Sequence, residues 1–309
     1  MTEKCVINVD KRELFPGETL SGTVELSFKT GKRVKDITVT LHGEGVLRIA
    51  HENRGDPIIE EYIHEEVEIL KLKKYNSEER EIVLIKSGDH FFEYFIKLPN
   101  NLPSTFSLKR LNISYRVTVE VDVQGFMEPL EDSKSITICS YIDLNTVLMP
   151  IRRPLRATSV NDSCCICFKM QPLSLKIELP QGGYVPSEIV NVACFVRNKS
   201  MMNVSKVSFK IIQVFELVGR SKTYRKERLL QKIYVPDSQV PKGMQKLFRA
   251  QLQIPEQTKA PSLTSCHMLR MHCELVGKAV LPYPHFDLIA SIPFYLGTVP
   301  LQFTPIPEQ

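Results

Sequence analysis

Apolar and polar residues alternate with a period of two along many short segments of this chain. In residues 117–124 valine occupies every second position, and residues 24–28, 37–41, 92–98 and 173–179 alternate in the same way. Successive side chains of a β-strand point to opposite faces of a sheet, so this period buries one face and leaves the other in water. Glycine, proline and asparagine separate the segments at short intervals. The pattern predicts an all-β protein built from sandwiches of short strands.

One segment is compatible with two local structures. In residues 77–87, the charged positions 78–81 support a helical turn, whereas residues 82–85 favour a strand. The sequence leaves both open.

The alternation stops between residues 145 and 163, where a basic, proline-containing stretch is typical of a connection between domains. Similar features occur in the same order on both sides of it: the turn Phe15-Pro16-Gly17-Glu18 in the first half corresponds to Tyr184-Val185-Pro186-Ser187-Glu188 in the second. We therefore predict two tandem immunoglobulin-like β-sandwich domains joined by a short linker. The predicted bounds are 1–144 for the N-terminal sandwich, 145–163 for the linker, 164–303 for the C-terminal sandwich and 304–309 for a short tail.

The length of 309 residues suits two ordinary domains, because single hydrophobic cores stop growing at about 250–300 residues. Charged residues within positions 1–12 leave no hydrophobic core of a signal peptide. The best apolar run, 288–301, is interrupted by two prolines and is shorter than the ~18 residues that span a bilayer. We expect a soluble cytosolic chain, and interpret the eight cysteines as reduced thiols. The modest net charge of +5 and the absence of Trp and of a one-sided basic stripe argue against a nucleic-acid partner.

The short motifs that identify common catalytic sites are missing from the sequence, including the nucleophile elbow, the phosphate-binding loop and the zinc helix. The sharpest metal candidate is Cys266-His267 with His272-Cys273, four potential zinc ligands within eight residues. If these residues form one strand, alternate members point to opposite faces and the four side chains do not converge. We therefore expect no catalytic residue, no metal and no cofactor. A metal-dependent all-β enzyme that uses this cluster is the alternative.

Five basic residues of the first half form a candidate surface for phosphate groups or acidic peptides: Lys11, Arg12, Lys32, Arg33 and Lys35. Several ammonium and guanidinium groups can bind the oxygens of one phosphate together. The simpler interpretation is that these residues are solvated strand ends. Exposed sheet edges offer a second way to bind a peptide, by addition of a strand.

Three cysteines, Cys164, Cys165 and Cys167, follow the basic stretch of the predicted linker. Cysteines beside a polybasic segment are candidates for S-acylation, which would hold the protein at a membrane surface. The simpler interpretation is that these small thiols pack near the junction of the domains.

Segments spread over nearly the whole chain resemble those of a known family. In the first half they are 15–18, 20–24, 87–90, 95–99, 102–106 and 115–117; in the second half they are 164–167, 183–188, 198–200 and 292–301. In this order and spacing they resemble the arrestin superfamily, specifically the α-arrestins, or arrestin domain-containing proteins. The resemblance implies two arrestin-type sandwiches without enzymatic activity.

The resemblance also implies a cytosolic adaptor or scaffold. Such a protein binds cytoplasmic tails of membrane proteins in endocytic trafficking, sorting or ubiquitin-ligase-linked regulation, at the plasma membrane or endosomal membranes. Family members that recruit HECT-type ubiquitin ligases use Pro-Pro-x-Tyr motifs in a C-terminal tail, and this sequence contains no Pro-Pro pair. A ligase is therefore expected to be recruited indirectly, and other arrestins are further candidate partners. A structural coat subunit of the retromer type is the alternative within the same fold.

The family's thioredoxin-binding member uses a cysteine in its second domain. The corresponding loop of this chain, near residues 241–244, contains none. We therefore do not expect thioredoxin binding.

Overall fold

A computed structural model describes residues 3–49, 56–70, 82–147, 151–161 and 172–302 of the chain. This part contains nineteen β-strands and no α-helix. The strands are β1 Lys4–Val9, β2 Glu13–Leu14, β3 Thr19–Phe28, β4 Lys32–Leu47, β5 Ile58–Glu68, β6 Val83–Ile85, β7 Gly88–Lys97, β8 Phe106–Ser107, β9 Leu111–Val123, β10 Leu130–Ile138, β11 Leu155–Asn161, β12 Leu173–Leu179, β13 Gly183–Tyr184, β14 Ile189–Asn198, β15 Lys206–Val218, β16 Thr223–Tyr234, β17 Gln245–Gln253, β18 Leu269–Val280 and β19 Leu288–Leu296.

The first compact unit comprises residues 1–140 together with the short segments 218–222 and 261–268. It contains a three-stranded sheet, β1-β3-β7, and a larger sheet with the order β2-β10-β9-β4-β5, in which β6 pairs with β4 and β8 with β9. Strand β2 runs parallel to β10. The predicted alternation sets the core, because the four valines of residues 117–123 are at most 1% exposed.

Residues 261–268 are hydrogen-bonded into this first unit. The backbone N–H of Ser104 donates to the carbonyl of Ser262 at 2.9 Å, and the N–H of Ser262 donates to the Ser104 hydroxyl at 3.1 Å. The N–H of His267 donates to the Glu60 carboxylate at 3.1 Å. This late segment of the sequence is therefore part of the first unit.

The second unit comprises residues 141–217, 223–260 and 269–309. It contains a four-stranded sheet, β11-β12-β14-β17, and a five-stranded sheet, β13-β19-β18-β15-β16. Buried residues from both sheets form one hydrophobic cluster that includes Cys194, Phe209 and Phe294, each at most 1% exposed. Strand β13 runs parallel to β19, as β2 does to β10 in the first unit.

The turn that recurs in the sequence also recurs in the structure. In the first Pro-Glu turn, residues 15–18, the N–H of Phe15 donates to the Glu18 carboxylate at 2.7 Å and the N–H of Glu18 donates to the Phe15 carbonyl at 3.0 Å. In the second Pro-Glu turn, residues 185–188, Val185 and Glu188 make the same two bonds at 2.9 and 3.2 Å. Each turn follows a two-residue strand and leads into a ten-residue strand.

The structure confirms the all-β class and the two tandem sandwiches. In the segment that was open between helix and strand, residues 83–85 form β6, and residues 77–81 lie outside the described part. Strand β11 falls inside the predicted linker and pairs with β12. The alternation of β11 is weak in the sequence, because its partly buried positions are Leu155, the small Ala157 and the polar Ser159. The predicted domain bounds stay a prediction.

Candidate protein-binding surfaces

The four-stranded sheet of the second unit carries an open groove of about 600 Å³. Alternation in β14 buries Val190 and Cys194 in the core and leaves Asn191 and Ala193 on the opposite face of the sheet, in the groove. The lining residues come from β12, β14 and β17 and the turn after β12: Glu178, Pro180, Asn191, Val192, Ala193, Arg249, Ala250 and Gln251.

Pairing across the strands orders the polar groups of this groove. Ala193 lies opposite Glu178 on one neighbouring strand and opposite Arg249 on the other. Arg156 donates from Nε and Nη2 to the two carboxylate oxygens of Glu178 at 2.8 and 3.2 Å, and these bonds lower the pKa of Glu178. The side-chain N–H of Gln251 donates to the side-chain carbonyl oxygen of Asn191 at 3.0 Å. The groove therefore combines apolar surface with a fixed carboxylate and a guanidinium group.

Strand β17 forms one edge of the same sheet within the described residues. Leu247, 59% exposed, lies on the same face of β17 as Arg249 and Gln251, because the three residues are spaced by two. An edge strand presents backbone N–H and C=O groups to which an extended peptide can add as a further strand. We name the groove residues together with Leu247 the β17 surface. It suits an extended polypeptide with both apolar and polar side chains.

The first unit also has an edge strand with exposed apolar groups. Strand β7 ends the three-stranded sheet of the described residues. Phe91 and Phe95 lie four residues apart on one of its faces and are 66% and 59% exposed. Neighbouring exposed aromatic side chains are typical of interaction surfaces.

A second groove of the second unit, of about 590 Å³, is more apolar. It is lined by parts of β15, β18 and β19 and by residues near β11 and β13: Ile151, Leu155, Gly182, Glu216, Arg270, Met271, His272, Pro293, Phe294 and Tyr295. Two residues of opposite charge in this groove, Glu216 on β15 and Arg270 on β18, are direct partners in the strand register.

The five basic residues predicted to bind acidic groups fall into two sets. Lys11 and Arg12 lie two and three residues after the end of β1, and Lys11 lies 3.1 Å from Glu18. Lys32, Arg33 and Lys35 lie at the start of β4. Lys32 pairs with Glu3, beside the other end of β1, at 2.7 Å, and Lys35 pairs with Asp122 at 3.1 Å. The six residues of β1, about 17 Å of extended chain, separate the two sets. Binding of acidic peptides by these residues stays a prediction.

The cysteines and histidines of the metal candidate have four different environments. Cys266 is a hydrogen-bond partner of Tyr62 in the first unit, and the N–H of His267 donates to Glu60. His272 lies 3.1 Å from the Glu274 carboxylate. Cys273 is fully buried in the core of the second unit, and burial raises its pKa to about 12.

The predicted acylation sites, Cys164, Cys165 and Cys167, lie outside the described residues. S-acylation at these positions stays a prediction.

Two family models match most of the chain. The N-terminal domain of arrestin matches residues 5–145, and the C-terminal domain of arrestin (or S-antigen) matches residues 169–301. These matches coincide with the two halves in which a sandwich was predicted, and they define the class as a two-domain arrestin-type protein.

Curated relatives narrow the class. Arrestin domain-containing protein 4 of Mus musculus is 24% identical over 222 residues, which is 71% of this chain and 51% of the relative. Arrestin domain-containing protein 1 of Mus musculus is 24% identical over 298 residues, 94% of this chain and 63% of the relative. The chain belongs to the arrestin family, in its branch of α-arrestins, as the sequence resemblance predicted. It spans between half and two thirds of the length of these relatives.

No helix long and apolar enough to cross a bilayer occurs in the part of the chain that the structure describes.

Sequence reasoning did not find the β17 surface. The alternation of residues 189–196 indicated which positions of β14 face away from the core. The partners of these positions, Arg249 and Gln251, come from a strand more than fifty residues later, and only the pairing of β14 with β17 brings them together. A long-range register of this kind has no local signal in one sequence.

Proposed function

We propose that this chain is a non-enzymatic adaptor that binds extended cytoplasmic segments of membrane proteins. The observation that carries the proposal is the β17 surface, where an edge strand, a groove with polar and apolar lining residues and an exposed leucine lie side by side. Backbone pairing at an edge supplies affinity for any extended peptide, and the side chains beside it supply selectivity. Membership of the arrestin family supports a role in binding rather than in catalysis.

We further propose that the complex acts in endocytic trafficking or sorting, at the plasma membrane or endosomal membranes. Recruitment of a HECT-type ubiquitin ligase is proposed to be indirect, through another surface of the chain or through a partner. Other arrestins remain proposed partners. The five basic residues are proposed to favour acidic or phosphorylated segments of the bound tails.

Proximity labelling in cells tests this function on the full chain. The informative variant is Arg249→Glu, which reverses the charge in the β17 groove without touching the core. The matched control is Lys226→Glu, the same change of charge class at an exposed position of β16 in the other sheet. We expect membrane proteins with cytoplasmic segments to be enriched by the wild-type chain and by the control, and to fall several-fold with Arg249→Glu.

Two results would count against the proposal. If the wild-type chain enriches no membrane protein over the labelling enzyme alone, the adaptor role is wrong. If both variants retain the same membrane proteins, the role stands and the β17 surface is not where they bind. Recovery of a ubiquitin ligase with the membrane proteins would support the ligase-linked form of the proposal, and its absence would leave binding and sorting.

A further inference from the structure

Two histidines face one another across neighbouring strands of the first unit. His42 on β4 and His64 on β5 are direct partners in the register, and their ring centroids lie 5.7 Å apart at an interplanar angle of 75°. Both rings are on the outward face of the sheet, His42 partly buried and His64 exposed. Two imidazoles at this spacing could supply two ligands of a metal site, because neutral imidazole is a preferred ligand of zinc and of other late first-row transition metals.

A β-bulge brings a carboxylate to the same face. Glu61 and His64 are three residues apart, so regular alternation would place them on opposite faces. The register shifts between Gly43 and Glu44: Gly43 pairs with Ile63, but Glu44 pairs with Glu61, and Tyr62 is the extra residue. A bulge redirects the side chains that follow it. As a result, the ligand atoms of His42, Glu61 and His64 all lie within 4.8 Å of one another.

The residue opposite the bulge is a glycine for a steric reason. A Cβ at Gly43 would lie 2.3 Å from the ring of Tyr115 and 2.8 Å from Ile63. Tyr115 is buried beneath this point and donates its hydroxyl to the carbonyl of Pro103 at 2.7 Å. The bulge and its partner strand are therefore supported by the packed core below.

Further carboxylates lie beside the Nε2 atoms of both rings. Glu66 lies 3.2 Å from Nε2 of His64, and Glu44 lies 3.6 Å from Nε2 of His42. Nδ1 of His42 faces Glu61 at 3.8 Å. In metal sites a carboxylate commonly holds the second nitrogen of a ligating histidine, and it fixes the ring and its tautomer. Arg116 lies opposite His42 on the other neighbouring strand, β9. Its positive charge repels a bound cation, and the negative charges of the three carboxylates oppose this repulsion.

We propose that His42, His64 and Glu61 form a binding site for a divalent transition-metal ion, with zinc the best match for two imidazoles and one carboxylate. Glu44 and Glu66 position the two rings. A tetrahedral zinc site with bonds of about 2.0–2.1 Å needs ligand atoms about 3.4 Å apart, and rotation of partly exposed side chains supplies the difference from the present spacing. Three protein ligands leave one position for water or for a side chain of a bound partner.

Titration of the full-length chain with Co²⁺, followed by its electronic spectrum and by displacement with Zn²⁺, tests the site. Co²⁺ bound by imidazole and carboxylate lacks the charge-transfer band of thiolate ligation, so the spectrum separates this site from the cysteines. We expect one equivalent to bind without a thiolate band. Loss of a ligand in His64→Asn or Glu61→Gln should weaken binding by roughly 100-fold, and Glu66→Gln by roughly 10-fold.

The chain offers matched controls for each substitution. His285→Asn removes an exposed histidine elsewhere, and Glu65→Gln removes an exposed carboxylate from the same strand, one residue from His64. Both should bind Co²⁺ like the wild type. Glu61→Gln changes an exposed side chain, so it keeps the test valid if His64→Asn fails to fold. A thiolate band at one equivalent, no binding at all, or equal binding by Glu61→Gln and Glu65→Gln would overturn the proposal.

Discussion

The two Pro-Glu turns have the same backbone hydrogen bonds but different surroundings. Both bend the chain between a two-residue strand and a ten-residue strand, and in both the glutamate carboxylate accepts the N–H three residues before it. The third position needs a positive φ, which is +82° at Gly17 and +69° at Ser187. Glycine adopts this conformation freely, whereas serine does so at a cost. The carboxylate bond is therefore able to hold the turn even where the residue is unfavourable.

The carboxylates of Glu18 and Glu188 differ in their second hydrogen-bond partner. Glu18 pairs with the ammonium group of Lys11 at 3.1 Å in an exposed position. Glu188 instead accepts from the amide of Gln181 at 2.9 Å, and this buried amide also donates to the carbonyl of Gly183 at 2.9 Å. An exposed ion pair contributes little to stability, whereas a buried amide deprived of its partner is costly. The second turn should therefore depend more strongly on its glutamate.

The largest effect is expected for Glu188→Ala. The substitution removes the bond to the N–H of Val185 and leaves one acceptor of the buried Gln181 amide missing, so the free energy of unfolding should fall by about 2–3 kcal/mol. Equilibrium unfolding in urea measures it, with Glu18→Ala as the matched change in the other turn. A loss with Glu18→Ala as large as with Glu188→Ala would remove the difference between the turns.

Gly17→Ala should have the next largest effect. At φ +82° any Cβ is strained, and here it would also lie 2.4 Å from the side-chain oxygen of Asn100. We expect a loss of about 1–2 kcal/mol in the free energy of unfolding, measured in urea. Ser187→Ala keeps a Cβ at the equivalent position of the second turn and should be close to neutral. If Gly17→Ala is also neutral, positive φ is not what distinguishes the two turns.

Ser187→Gly should stabilise the protein slightly. It removes the cost of a left-handed serine and adds some freedom to the unfolded chain, so a net gain of about 0.5 kcal/mol is expected. The shift of the thermal midpoint relative to the wild type and to Ser187→Ala measures it. A lower midpoint would mean that the serine side chain contributes more to this turn than its backbone costs.

The smallest effect concerns pH. The N–H of Phe15, together with the Lys11 ammonium group, holds the pKa of Glu18 below its ordinary value. A lowered folded-state pKa means that the stabilising contribution is present above the ordinary carboxyl pKa and is lost as the pH falls through the lowered value. The difference in urea midpoint between the wild type and Glu18→Gln should therefore shrink as the pH is lowered. A difference that is constant with pH would show that the charge of Glu18 has no part in it.

The features that sequence predicts here are those with a local signal. The period of two in residues 117–123 marked a strand whose valines are buried, and the repeated turn marked a duplicated sandwich. In each case neighbouring residues decide the conformation, because alternation and turn chemistry act over a few positions.

The candidate sites depend on register, which one sequence does not display. His42 and His64 are far apart in the chain, and their pairing follows from the alignment of β4 with β5. Glu61 would have been assigned to the other face by simple alternation, and only the bulge at Tyr62 corrects this. The basic residues show the reverse case: Lys11 and Lys32 looked like members of one patch, and β1 holds them apart.

The segment 261–268 has a consequence for the order in which the protein is made. A ribosome releases the chain from its N-terminus, so domains generally fold in that order during synthesis. The first unit, however, includes Ser262 and its two hydrogen bonds with Ser104, and these cannot form until β11 to β17 of the second unit have been translated. The half of the protein that emerges first is therefore completed only after most of the second unit has also been translated.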